Sequence, residues 1–180
     1  MRTIVKVLRS ARGRFDLRVI QFAVLGDHLH MIVEANGRES LTRGMRGLGT
    51  CLAIHLNRAF DRTGALFDDR YHARALATPL EVRRGLCYVL KNFRKHAAQQ
   101  GRTIAARWID SCSSGRNFDG WRDTEPSSSA HLDLGRLAPR TWLLTIGWRR
   151  HGEIGVDEIP GGGARPRTAM GRRGLPSRAS

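Results

Sequence analysis

Residues 15–34 constrain the fold more than any other stretch, because they spell two strand-like runs joined by Gly26-Asp27. In the second run His28, His30 and Ile32 project to one face while Leu29, Met31 and Val33 project to the other, since alternate residues of a strand share a side. The first run, residues 15–25, sets Phe15, Leu17, Val19, Gln21 and Ala23 against Ile20, Phe22 and Val24, a pattern suited to burial on both faces. Glycine at the first central position of the connection suits a type II′ turn, so the histidine run is expected to pair antiparallel with the run before it. Two imidazoles side by side make half of a metal site. Strand histidines are also common as plain surface or core residues, so the other half has to be found elsewhere in the chain.

The flanking segments read as helices. Residues 2–12 place Ile4, Val7, Leu8 and Ala11 at helical spacing and end at Gly13. Asn36-Gly37 closes the histidine strand, Ser40 is placed to cap a helix, and Leu41, Met45, Leu48, Leu52, Leu56 and Phe60 form its apolar stripe. Gly44, Gly47 and Gly49 in that helix each cost about 1 kcal/mol relative to alanine, which close packing on a sheet or loose first turns would explain. His55, one turn after Cys51 and beside the stripe, reads as structural. Residues 71–76 alternate as a short strand, Tyr71, Ala73 and Ala75 against His72, Arg74 and Leu76. Thr78-Pro79-Leu80-Glu81 is a capping box with proline at the first helical position, and Val82, Leu86, Val89, Leu90 and Phe93 make the buried stripe of the helix that follows. Tyr88 and Asn92 lie one turn apart beside that stripe, with Arg84, Lys91 and Lys95 on the side expected to be exposed. A phenol and an amide flanked by cations suit a phosphate substrate.

The order helix, strand, strand, helix, strand, helix predicts an α+β fold. It is a ferredoxin-like antiparallel sheet, with helices on one face, lacking its first strand. Residues 1–100 are expected to form this domain, 101–159 an irregular C-terminal extension, and 160–180 a disordered basic tail. In the extension, the aromatics from Trp108 to Trp121 suit either anchoring a loop to the core or stacking nucleobases. Residues 126–129 read as a linker, and residues 140–152 as a short helix that ends in glycine and either docks on the domain or reads DNA with Arg149 and Arg150.

Charge points to the partner. The chain of 180 residues has 31 Lys and Arg against 16 Asp and Glu, a formal +15, and a pI near 11.5, the electrostatic footprint of a nucleic-acid binder. The lysines are only Lys6, Lys91 and Lys95, so nearly all of the positive charge is arginine. No apolar run reaches transmembrane length, and scattered basic residues interrupt the first twenty positions, unlike a signal peptide. Cys51, Cys87 and Cys112 are odd in number and without CxxC spacing, which fits reduced thiols in a cytoplasmic protein.

Three segments, 26–34 with His28 and His30, 64–72 ending in Tyr71-His72, and Tyr88-Val89-Leu90-Lys91-Asn92, occur in an order that resembles the single-tyrosine HUH transposases of small insertion sequences. Within this IS200-like family the likeness is to the REP-associated tyrosine transposase-like branch, and it covers roughly residues 14–97. The resemblance implies that His28, His30 and Asn92 hold a divalent metal and that Tyr88 is the nucleophile. It implies cleavage and rejoining of single-stranded DNA, with a hairpin preference, through a 5′-phosphotyrosine and a free 3′-hydroxyl. Two imidazoles, an amide oxygen and open positions suit Mg²⁺ or Mn²⁺ better than a closed structural zinc. No nucleotide cofactor is needed for religation, in keeping with the lack of a Walker or GxGxxG loop. The family places a strand before the first helix, in the middle of the sheet; here the helix follows Met1 almost directly. A truncated or misplaced start, another segment filling the gap, or a decayed relative that binds DNA without turnover would each account for this. Family members act as monomers or homodimers, with the tyrosine serving its own or the partner's metal site, and the resemblance leaves both open.

Overall fold

The computed structural model describes residues 1–68, 70–123 and 133–161. The expected linker at 126–129 and nearly all of the expected basic tail lie outside these residues. The chain is α+β, with four α-helices and one two-stranded antiparallel sheet among the described residues. Helix α1 (Arg2–Ser10) buries Ile4, Val7 and Leu8, three of the residues whose spacing marks it as a helix. Strands β1 (Leu17–Val24) and β2 (Leu29–Ala35) then form the hairpin, with the Leu25 amide donating to the His28 carbonyl at 2.9 Å across Gly26-Asp27. The loop has the expected two residues. Neither sits at positive φ, so the turn is not type II′.

A bulge decides what each face of the sheet carries. Val19 is opposite Val33 and Gln21 is opposite Ile32, so Ile20 is the extra residue of β1 and the alternation expected over residues 15–25 reverses there. Leu17, Val19 and Phe22 consequently pack in one hydrophobic cluster, and Ile20 and Ala23 in another with Ile32.

Helices cover both faces, which corrects the expectation of one. Helix α2 (Arg38–Ala59) joins α1 on the Phe22 side through Leu48 and Leu52. Its N-cap is Gly37, at φ 131, and not Ser40, because the chain turns sharply out of β2 at a left-handed position that glycine tolerates. Gly44 and Gly47 are close-contact positions: a Cβ on Gly44 would stand 2.5 Å from the Leu17 Cβ, and one on Gly47 would stand 2.7 Å from the Phe15 ring. The apolar stripe of α2 stops at Leu56, since Phe60 is 67 % exposed. Helix α3 (Pro79–Gln99) starts at the expected capping box, with the Glu81 amide donating to Thr78 Oγ1 at 3.2 Å, and lays Val82, Leu86, Val89 and Leu90 on the Ile20 side.

Residues 71–76 do not form a strand. They run without a ladder and are exposed up to Leu76, tied down among the described residues by Tyr71 Oη near Thr42 Oγ1, Arg74 on Glu81 at 2.7 Å, and Leu76 against Gly85 and the core around α3. A strand needs a neighbour to take its amides and carbonyls, and among the described residues this segment has none. The outer edge of β1 is covered: the amides of Phe22 and Val24 donate to Ser114 Oγ and the Cys112 carbonyl at 2.9 and 2.8 Å, and the Leu137 amide donates to the Val19 carbonyl at 2.7 Å. Among the described residues no hydrogen bond reaches the outer edge of β2.

The segment after residue 100 shares the core of the domain. Phe118, Trp121, Trp148, Ile154 and Val156 are buried in the same cluster as α3, so these aromatics anchor the extension. Helix α4 (Trp142–Thr145) follows two amides, of Arg140 and Thr141, that donate to the Glu34 carboxylate at 2.8–3.0 Å. Glu34, the last residue of the histidine segment, therefore docks the extension. The turn Gly147–His151 completes this piece and ends at Gly152, φ 79; Arg149 pairs with Asp119 and Glu153, and Arg150 stacks on Trp142.

Candidate metal and nucleophile site

The hairpin and α3 bring the histidine pair to the Tyr-x-x-x-Asn pair. His30 is opposite Ala23 on the face that α3 covers, and Asn92 projects from α3 towards it. Asn92 Nδ2 lies 2.8 Å from His30 Nε2 across 62 positions of sequence. The Tyr88 ring stands 5.0 Å from the His30 ring, edge to face, and the His28 and His30 rings are 4.7 Å apart. All four residues singled out as metal ligands or nucleophile thus meet at one place, at the exposed margin of the sheet.

Their environments differ in a useful way. Tyr88 is 38 % exposed, so its hydroxyl is open to a large substrate. Asn92 is 1 % exposed, and its Oδ1 is buried without a hydrogen-bond partner. A buried amide oxygen left unpaired costs about 1–3 kcal/mol, and a cation is the ligand such an oxygen suits. Burial, followed by the nearby His28 and His96, lowers the His30 pKa and keeps the imidazole neutral, the form that binds metal. His28 Nδ1 is 2.5 Å from Asp27 Oδ1; with that nitrogen donating, Nε2 carries the free lone pair. The same contact holds the Asp27 carboxyl below its ordinary pKa.

His96 was not singled out from the sequence, yet it belongs to this cluster. Its Nε2 lies 3.4 Å from Asn92 Nδ2, and its ring is 5.7 Å from that of His28. The signal was present as the one-turn step from Asn92, hidden because a histidine in the last turn of a helix is ordinary dipole complement. Among the described residues no three His, Cys, Asp or Glu side chains are set to hold a metal by themselves. An amide donor is outside that set, and here it sits at the centre of the cluster.

The three cations expected to face nucleic acid separate. Arg84 is exposed, and the Lys95 ammonium lies over the Tyr88 ring, 5.6 Å from its centre. Lys91 is 1 % exposed and does not face solvent, because the extension closes over that side of α3 and puts Trp121 above the ammonium at 5.4 Å. Its Nζ has no hydrogen-bond partner, and burial, then Arg94, pull its pKa down to about 8. Cys51, Cys87 and Cys112 are free thiols, and no helix among the described residues is long and apolar enough to cross a membrane.

No family model, no curated protein and no solved structure matches this chain.

Proposed function

We propose that this protein is a transposase-type enzyme that cleaves and rejoins single-stranded DNA through a covalent phosphotyrosine. The observation that carries this reading is the meeting of His28, His30 and Asn92 with an exposed Tyr88 on a strongly basic chain. Tyr88 Oη attacks a backbone phosphorus; the new bond joins the tyrosine to the 5′ side, the P–O3′ bond breaks, and the phenolic proton is balanced by the one gained at the departing 3′-oxygen. His28, His30 and the Asn92 amide would hold Mg²⁺ or Mn²⁺ once the two ends of the amide exchange, which brings the unpaired Oδ1 to His30 in place of Nδ2. Bound there, the cation supplies Lewis-acid polarisation of the scissile phosphate. Arg84 and Lys95 flank the tyrosine and attract the phosphate backbone. Rejoining is the reverse attack by a 3′-hydroxyl and consumes no nucleotide.

A second reading, a DNA-binding protein without turnover, is favoured by the edge of β2 beside the histidines, which takes no hydrogen bond among the described residues. The two readings part on one gel. Labelled single-stranded hairpin DNA is incubated with the full chain and Mn²⁺ or Mg²⁺, wild type beside Tyr88→Phe, and run under denaturing conditions. A covalent adduct formed only by the wild type and only with metal supports the enzyme. An adduct that survives Tyr88→Phe removes the proposed mechanism, and DNA binding without any adduct selects the second reading.

A further inference from the structure

One aromatic of the extension stays out of the core. Phe118, Trp121 and Trp148 are at most 6 % exposed, whereas Trp108 is 42 % exposed. Its backbone is nevertheless fixed. The Trp108 amide donates to the Ala105 carbonyl at 3.3 Å, and Arg94, itself buried in α3, donates to the carbonyls of both Ala105 and Trp108, at 2.9 and 3.2 Å. The residue before it, Arg107, sits at φ 59, a left-handed conformation that residues other than glycine rarely adopt, and its amide donates to Asp157 Oδ1 at 2.8 Å. Asp157 in turn pairs with Arg94 at 2.7 Å. Strain of this kind persists only where the surroundings over-determine it, and here it fixes a turn that presents an indole to solvent.

That indole lies beside the proposed site. Phe93 follows Asn92 directly in α3, and the Trp108 ring meets the Phe93 ring edge to face at 4.8 Å. The indole is therefore within roughly 15 Å of the Asn92 backbone, a reach of a few nucleotides of single strand. Among the described residues its N–H has no partner and no cation lies over its ring, whereas Trp121 donates to the Gly115 carbonyl at 2.8 Å and Trp142 carries Arg150 at 4.8 Å. Arg102, exposed and in no ion pair among the described residues, lines the same cleft as Arg94. An open aromatic ring with a free cation nearby, on a chain of formal charge +15, is the combination that binds single strands: a base stacks on the ring and the guanidinium meets phosphate. We infer that Trp108 is the stacking platform for an unpaired base of the single-stranded DNA and holds the strand beside Tyr88 and the histidine pair. The inference rests on the function proposed above and adds to it the residue that grips a base.

The test is equilibrium binding of labelled single-stranded hairpin DNA by the full chain, read by fluorescence anisotropy, with circular dichroism as the folding control. Trp108→Leu, which keeps an apolar contact with Phe93 and removes the aromatic face, should weaken binding by about 5- to 100-fold, the worth of one base–aromatic stack. Trp108→Phe should retain most of the affinity. The slope of log K against log salt should stay the same in both, because no phosphate contact is lost. A single abasic position moved along the strand identifies the base: at one position the wild type should fall to the affinity of Trp108→Leu, and Trp108→Leu should lose nothing further there. If folded Trp108→Leu binds as tightly as the wild type, or if every abasic position costs the two proteins equally, Trp108 stacks on no base and this inference alone fails, with adduct formation at Tyr88 intact. If the wild type binds no single-stranded DNA, the function proposed above falls with it.

Discussion

The two faces of the β1–β2 sheet are built on different terms. Against α1 and α2 the buried residues are apolar, with Val7, Leu8, Phe22, Leu48 and Leu52 all at 2 % exposure or less. Against α3 the core is equally dense, yet the helix also buries Lys91, Asn92 and Arg94, and each has a nitrogen or oxygen with no hydrogen-bond partner. Unpaired buried polar atoms lower stability, so a face shaped for stability alone would exclude them. The first face holds the hairpin in place; the second carries the histidines and the proposed chemistry.

The contrast can be broken most forcefully on the apolar side. Phe22→Ala empties a fully buried site between α1, α2 and the sheet and should cost about 3–5 kcal/mol, measured by urea unfolding. A loss much below that would mean that the Phe22 side is not the stabilising one. On the other side, Lys91→Met should stabilise the protein at pH 7 by removing a buried cation. The sign follows from the direction of the shift: the folded pKa, about 8, lies below the ordinary lysine value of 10.5, so the unfolded chain binds more protons between those limits. Stability therefore rises with pH across that window, by about 3 kcal/mol at most, and is lowest below pH 8. Cys87, whose thiol is pushed up to about 12 by burial and then by Glu158, acts oppositely above pH 9, so the difference between wild type and Lys91→Met is the quantity to follow.

Two glycines of α2 sharpen the picture at smaller scale. Gly44→Ala should destabilise by about 1–3 kcal/mol because its Cβ would strike Leu17. Gly49→Ala, with nothing within 4 Å of the added carbon, should stabilise by about 0.5–1 kcal/mol through helix propensity. Thermal unfolding of the pair gives opposite signs if packing sets the position of α2. The smallest expected effect is electrostatic. Arg84→Ala and Lys95→Ala should each reduce the slope of log K against log salt for single-stranded DNA by about 0.7, whereas Lys91→Met should leave it unchanged. A slope change for Lys91→Met would reopen that face of α3 to DNA.

The legibility of the chain follows the range of the forces involved. The capping box at Thr78, the stripe of α3 as far as Leu90 and the face assignment of β2 were readable because each depends on neighbours a few residues away, whereas Phe93, expected to end that stripe, lies outside the core against Trp108. Through them the sequence also placed His28, His30, Tyr88 and Asn92 on elements able to meet. The bulge at Ile20 was invisible, since it is a property of the pairing between two strands and not of either one. Residues 71–76 alternate as a strand should, yet alternation confers only the side-chain pattern, and the ladder requires a partner edge. Lys91 looked exposed because the helix alone exposes it; Trp121, thirty residues on, buries it.

By itself, then, the sequence determined where α3 starts, which residues of β2 share a face and which chemistry-bearing side chains lie one turn or two residues apart, all consequences of local backbone periodicity. Only the tertiary structure decided that helices flank both faces, that the C-terminal segment completes the core around α3, and that His96 joins Asn92 and the histidine pair. Those outcomes depend on which surfaces meet across tens of residues, and burial of apolar area, which drives the meeting, has no direction that local pattern can record.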